Sequence, residues 1–390
     1  MIASWGRKSV HALMIGLCLL LAANAAVASG HDALASIGDY TSGSFSPERN
    51  ETFGIPVFIP SPEQLKAIQI EMRTGDDDLV RTLKAGKISS EVSDYLIEWN
   101  GRDSDGAIVP DEAYHPVLVV TDIDGNSHRL DTRTQRSLVE VYDFEKQIKP
   151  GTIEYILPAA SRVLVRAGIK NGPLLRTVVD WEPRTEGFHA ERWDGRDADD
   201  LVHIEQNPDV GYLIVGYQLP DNSIITYGND RETYRQYRKR YGLPLRETAF
   251  EERMAERNGM VIRQEFYNPL LQQKSPGIEV LLLDKESRQP VDRVVGFGEV
   301  LTEVRLDPLD EIYLDQERYE ISFFIDNRFI AEEEQGFVPF VWRWSPGRLG
   351  IEPGKHILTV NVSGYNGQVG VRNLTFDVIG EDQGTATGSE

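Results

Sequence analysis

The stretch Trp99-Asn100-Gly101-Arg102-Asp103-Ser104-Asp105-Gly106 returns further along the chain as Trp193-Asp194-Gly195-Arg196-Asp197-Ala198-Asp199-Asp200. Working outward from these blocks, Asp78-Leu79-Val80-Arg81-Thr82-Leu83 precedes the first and Pro173-Leu174-Leu175-Arg176-Thr177-Val178 the second. Arg81 lies 18 residues before Trp99, and Arg176 lies 17 before Trp193. Further out, Ile59-Pro60 matches Leu157-Pro158, and Tyr114 matches Tyr212. Matches in the same order at a spacing of about 95 residues mark an internal repeat.

Each repeat reads as a small β-sandwich, because short alternating runs recur between Gly, Pro, Asn and Asp clusters. Tyr95, Ile97 and Trp99 alternate with Leu96 and Glu98, giving that strand one aromatic or apolar face. Asn100-Gly101 and Asp194-Gly195 end the strands with residues that tolerate positive φ. The L-V-R-T-L and W-[N/D]-G-R-D-x-D-G blocks, followed by a strand led by Tyr114 or Tyr212, resemble the Ig-like domain of the flagellar hook-cap protein FlgD over residues 54–140 and 150–228. Glu112-Ala113-Tyr114 departs from the Gly-x-Tyr style of strand start, and Asp200 stands where the first copy keeps Gly106. The resemblance implies a fold and a scaffolding style; nothing in the chain resembles the rest of a hook cap.

From Asn229 the periodicity becomes helical. Asp230 reads as an N-cap, Tyr234, Tyr237 and Tyr241 share a face, and Gly242 with Pro244 forms a stop. Thr248-Ala249-Phe250-Glu251 is a capping-box sequence before Phe250 and Met254, so a helical hairpin is expected over 229–260. Its first helix carries Arg231, Arg235, Arg238, Lys239 and Arg240 against Glu232. Such a helix either packs by its tyrosines on a neighbouring domain or docks an acidic partner. Beyond it, Phe323-Phe324-Ile325-Asp326-Asn327, Pro339-Phe340-Val341-Trp342-Arg343-Trp344 and Gly354-Lys355-His356-Ile357-Leu358-Thr359-Val360 are similar to bacterial Ig-like modules.

The expected class is therefore mainly β: three tandem Ig-like β-sandwich domains with a helical hairpin insert. Their limits are read as a signal peptide at 1–28, an N-terminal tail at 29–53, Ig-like domains at 54–146 and 147–228, and the hairpin at 229–260. A third Ig-like domain follows at 261–379, with a disordered tail at 380–390. The signal-peptide reading rests on Arg7 and Lys8, the apolar run from Ala12 to Ala23, and the small residues up to Ala28. It places the protein in the periplasm or outside the cell, without a transmembrane anchor. Removing Arg7 and Lys8 with the peptide moves the net charge from −21 to −23 and takes away Cys18, the single cysteine. That leaves no internal disulfide or cysteine-ligated metal site. An acidic chain of this kind does not suit nucleic acid or an anionic membrane, which need clustered cations.

Catalytic signals are lacking: the seven histidines contain no HExxH, and no G-x-S-x-G elbow or phosphate-cradling glycine loop occurs. No enzyme activity and no cofactor are expected. Asp103, Asp105 and Glu112 fall at positions 3, 5 and 12 of an EF-hand-like loop, a weak calcium signal beside the plain reading as a β-turn. Phe340, Trp342 and Trp344 put three rings on one strand face, either as core or as an exposed ladder for sugar rings. The functional expectation is an exported binding or scaffold protein with protein partners, its contact candidates being Tyr234, Arg235, Arg238, Lys239, Trp342 and Trp344. A carbohydrate-binding or calcium-dependent surface module is the alternative. Amino-terminal sequencing of the exported protein is expected to begin near Ser29; a chain that retains Met1 would overturn the signal-peptide reading.

Overall fold

The computed structural model describes residues 34–38, 43–85, 88–89, 91–131, 140–141, 144–229, 231–243, 254–257, 260–263, 274–314, 318–364 and 367–380. The signal-peptide segment 1–28 and positions 381–390 of the expected tail lie outside them. Three sandwiches are built, each from alternating strands that turn one face inward.

In the first module, β1 (Ser36–Ile37), β3 (Phe53–Phe58) and β6 (Asp94–Trp99) form one sheet, in the order β1-β3-β6. The facing sheet has the order β2-β16-β7-β4-β5, from β2 (Gly43–Phe45), β4 (Leu65–Arg73), β5 (Leu79–Lys84), β7 (Ala113–Asp122) and β16 (Ile224–Thr226), with β8 (Ser127–Asp131) also on β7. Ile55, Val57, Ile70, Met72, Trp99 and Tyr114 fill the space between the sheets. The Tyr114 hydroxyl donates to Pro110 O at 2.8 Å, a tyrosine corner that pins the start of β7.

The second module pairs β10 (Lys146–Lys149), β11 (Thr152–Leu157) and β14 (Gly187–Arg192) as one sheet. The other runs β13-β12-β15-β9, from β9 (Glu140–Val141), β12 (Ser161–Ile169), β13 (Leu174–Arg184) and β15 (Val210–Gln218). The third module faces β19 (Ile278–Asp284), β21 (Val300–Leu306) and β24 (Phe340–Trp344) against a five-stranded sheet. That sheet runs β20-β26-β25-β22-β23, from β20 (Arg293–Val295), β22 (Tyr319–Ile325), β23 (Arg328–Glu333), β25 (Gly354–Gly364) and β26 (Val369–Ile379). No helix among the described residues is long and apolar enough to cross a membrane.

Several expected limits are crossed by strand pairing. β1 and β2, within the expected tail 29–53, belong to the first module, where β1 pairs with β3 and β2 runs parallel to β16. β9 lies before position 147 yet pairs with β15 of the second module. β16 lies before 228 yet returns to the first module, with Ile224 opposite Tyr114 and Ile225 opposite Ala113. These strands have two or three residues each, too few for alternation to show in the sequence.

The hairpin insert is half right. α1 (Tyr234–Arg240) forms, with Thr233 rather than Asp230 as its N-cap: the Thr233 hydroxyl accepts from the Gln236 N–H, and the Gln236 side chain accepts from the Thr233 N–H. Asp230 and the segment 244–253 lie outside the described residues. The end of the expected second helix is strand: β17 (Met254–Arg257) pairs antiparallel with β18 (Met260–Arg263). Asn258-Gly259, which stands between them in the sequence, is the strongest short hairpin signal.

Where the first two modules meet, Glu112 at the start of β7 and Arg162 on β12 form an ion pair, both side chains without solvent exposure. Glu112 also accepts from the Ala113 N–H at 2.7 Å, and Arg162 donates to Trp181 O at 3.2 Å. Ala113, Ala160, Leu219 and Ile225 close over the pair as a small apolar seam. Removing the carboxylate takes this close partner from a fully buried guanidinium, so Glu112→Ala should lower stability by about 3–5 kcal/mol in denaturant titration. The double variant Glu112→Leu/Arg162→Met should recover most of that loss, and equal losses in the two variants would refute this account of the seam.

Candidate functional site

The repeated Trp-x-Gly-Arg-Asp block folds into the same loop twice. The indole N–H of Trp99 donates to Arg102 O at 3.1 Å, and that of Trp193 to Arg196 O at 2.8 Å. The Arg102 guanidinium donates to Gly106 O at 2.9 Å, and that of Arg196 to Asp200 O at 3.0 Å. Asp103 Oδ1 accepts from the N–H groups of Asp105 and Ala107; Asp197 Oδ1 accepts from Val202 N–H. Gly101 and Gly195 turn the chain at φ +66° and +74°, where a side chain would be strained. Asp200 adopts φ +58° at the place of Gly106, which Asp tolerates better than most residues. Arg81 and Arg176 reach from the neighbouring strand to the same loop, on Asp103 O and Asp197 O.

Beside this loop lies the turn between two strands, Thr74–Asp78 in the first module and Lys170–Pro173 in the second. Loop and turn together make a face at one end of each module, and in both modules another element of the chain sits on it. In the first it is α1. Tyr234 is buried, its hydroxyl donating to Asp78 at 2.8 Å, and Arg238 is buried in ion pairs with Asp76 at 2.9 Å and Asp78 at 3.4 Å. The Tyr241 hydroxyl donates to Asp103 Oδ2 at 2.6 Å; its partial burial and then the Asp103 and Asp105 carboxylates push it up to about 12. Burial raises the Tyr234 hydroxyl as well, and the Asp76 and Asp78 charges add to this.

In the second module the third module takes the equivalent place. The Asn361 side chain on β25 accepts from Leu174 N–H and donates to Leu174 O, both at 2.9 Å, closing a two-bond clasp with the start of β13. Asp199, the counterpart of Asp105, pairs with Arg372 and accepts from Asn373 N–H at 2.6 Å, both on β26. Asp180 on β13 accepts from Ser275 N–H at 2.8 Å and from its hydroxyl at 3.1 Å. Burial raises the Asp180 and Asp199 carboxyls, and these hydrogen bonds and nearby cations only partly offset it.

Of the sequence-derived contact residues, Tyr234 and Arg238 are buried against the first module, and Arg235 reaches away to pair with Asp310 on α2 (Pro308–Leu314) of the third. Lys239 is exposed. Of the two readings of this helix, packing is the one seen: its tyrosines and Arg238 lie on the first module, Arg238 paired with the acids beneath it. A cleft of about 670 Å³ opens beside it, lined among others by Asp180, Arg184, Tyr234, Arg235, Ser275 and Asp310. The calcium candidates do not converge: Asp103 is held by its own loop and Tyr241, Glu112 by Arg162, and Asp105 is exposed. Among the described residues no group of three or more His, Cys, Asp or Glu is placed to hold a metal ion. Trp344 is 5% exposed and donates to Thr302 Oγ1 at 2.8 Å; Trp342 is half-buried between Trp344 and Phe323, at ring distances of 5.1 and 4.6 Å. The aromatic ladder is core. Sequence reasoning missed Asp76, Asp78, Asp199, Asn361 and Arg372; the repeated second Asp of the loop was the available signal for Asp199.

No family model and no curated protein matches the chain. Among solved structures it is similar to the fibronectin(III)-like modules of Clostridium thermocellum CbhA, at 7% identity and a TM-score of 0.22, covering 91% of this chain and 100% of that one. It is also similar to a 1.5-MDa bacterial ice-binding adhesin, at 12% identity and a TM-score of 0.20, covering 87% and 95% of the two chains. Superpositions this loose say nothing about module arrangement or binding.

The raised Asp199 carboxyl gives a pH test. Its folded-state value exceeds the unfolded one, so its contribution to stability is full below the unfolded value of about 3.9 and is lost as pH rises through the folded value. Asp199→Asn keeps an acceptor for Asn373 N–H and removes this titration. The melting temperature of Asp199→Asn relative to wild type should climb from pH 3.5 to pH 7, and a difference independent of pH would exclude the assignment.

Proposed function

We propose that this chain is an exported, non-catalytic scaffold of the cell envelope or an extracellular assembly, acting through protein–protein contacts of Ig-like modules. The observation that carries the reading is the repeated end face: a loop held by the same tryptophan and arginine bonds seats a helix in the first module and a whole domain in the second. A module whose signature residues build a seat for other elements is a unit for joining proteins. The close agreement of the two loops also supports the hook-cap kinship of the first two modules. The n-region, h-region and A-x-A pattern at the amino terminus supports export to the periplasm or beyond. The burial of Trp344 and the stacking of Trp342 on core rings favour this reading over the sugar-binding one.

In-cell cross-linking of the full chain, followed by purification from envelope and medium fractions, should recover a protein partner, this chain itself included, in near-stoichiometric amount. Recovery in the cytoplasm alone, or as an uncross-linked monomer in every fraction, would refute the proposal.

A further inference from the structure

Among the described residues, two sheet edges in different modules have no strand paired on their outer side, and they complement one another. β6 ends its sheet, hydrogen-bonded on one side to β3. Ile59 N–H bonds to Ser93 O, so by alternation residues 95, 97 and 99 turn their backbone groups to β3, while those of Asp94, Leu96 and Glu98 point to the open side. The side chains of these same three residues are exposed, Leu96 at 67%. The outward pattern of the edge is therefore acid, apolar, acid. Pro56 and Phe58 on β3 extend its apolar centre, and Phe58 is also exposed.

β20 ends the five-stranded sheet of the third module and is bonded on one side to β26. Gly296 N–H bonds to Ile379 O and Asp377 N–H to Asp292 O, which leaves Arg293 and Val295 directed to the open side. Of the backbone groups there, Val295 O is taken by Gly298 N–H. Arg293 and Val295 are exposed, and Phe297 beyond them is 64% exposed on the rim of a cleft of about 1050 Å³. The cleft also carries Lys355, with Asp377 between it and Arg293 on the strand ladder. Glu352 also lines the cleft, and along the outward positions of the edge itself Arg293 presents one cation beside the apolar Val295 and Phe297. Neither Glu98 nor Arg293 has an ion-pair partner among the described residues.

We propose that β6 of one molecule adds antiparallel to β20 of a second copy, joining the first module of one chain to the third module of the next. This deepens the scaffold reading, on which it rests, by naming a second copy of this chain as a partner. Glu98 then lies opposite Arg293 and Leu96 opposite Val295, so a cation meets an acid and two exposed apolar side chains cover each other. Residues 96, 98, 293 and 295 all present outward backbone groups, as strand addition requires. The two surfaces differ, so the contact is head-to-tail and extends into a row unless rotation closes it into a ring. Long unpaired apolar edges are ordinarily avoided because they pair.

Sedimentation velocity of the purified full chain at rising concentration tests this, with circular dichroism and melting to confirm folding of each variant. Wild type should pass from monomer to larger species, more weakly at high salt. Glu98→Arg and Arg293→Glu should each weaken association at least tenfold, because like charges then face each other. The double variant Glu98→Arg/Arg293→Glu, and an equimolar mixture of the two single variants, should regain association. A wild-type chain that stays monomeric, or single variants that associate as wild type does, would overturn the proposal. A monomer that still captures a different envelope protein on cross-linking would overturn self-association alone, while a monomer that captures nothing would overturn the scaffold reading too.

Discussion

The buried pair of Glu112 and Arg162 is the constraint on which the arrangement of the first two modules depends. Two charges with no solvent exposure are costly to desolvate, and they are tolerated because their positions match. Glu112 heads β7 of one sandwich and Arg162 lies on β12 of the next, so the two sheets can approach only in the orientation that brings these atoms together. An apolar seam alone would be satisfied by many orientations. The charge pair selects one, and β16 then crosses back to pair with β7. The first module is thus completed by chain that follows the second, and neither is a bead on a string.

The same economy governs the module ends. Trp, Arg and one oxygen of the first Asp hold the loop in each repeat, and a carboxylate is left to face outward: the second oxygen of Asp103 in the first module, Asp199 in the second. In the first module that outward chemistry, with Asp76 and Asp78 from the adjoining turn, draws the tyrosines and arginines of α1. In the second it draws Arg372 and the backbone of β26. Different occupants on one face explain why the cationic helix is not a separate spacer between modules. It lies on the first module and reaches the third through Arg235 and Asp310.

Much of this was legible in the residues. The repeat declared two sandwiches, and Trp99 and Trp193 marked the loops that share their indole and arginine bonds. Alternation along Tyr319–Ile325 declared the third. What stayed hidden were features without a local signal: strands of two or three residues, and the first-module partners of α1 and Tyr241, which lie more than 130 positions away. Of the second expected helix, the described residues Met254–Arg257 are paired as strand with Met260–Arg263, where Asn258-Gly259 was the hairpin signal. For the seam one clue did exist. Glu112 stands where the second repeat has Val210, two residues before the matched tyrosine. A charge replacing an apolar residue between repeats marks a place where their surroundings differ. Reading it as a calcium ligand used the right residue for the wrong partner.

The central claim, that the first two modules form one cooperative body joined by the Glu112–Arg162 seam and β16, is tested most directly by differential scanning calorimetry of the full chain. The account predicts that both modules unfold in a single transition whose calorimetric and van't Hoff enthalpies agree. Separate transitions for the first and second modules, each two-state with its own midpoint, would contradict it.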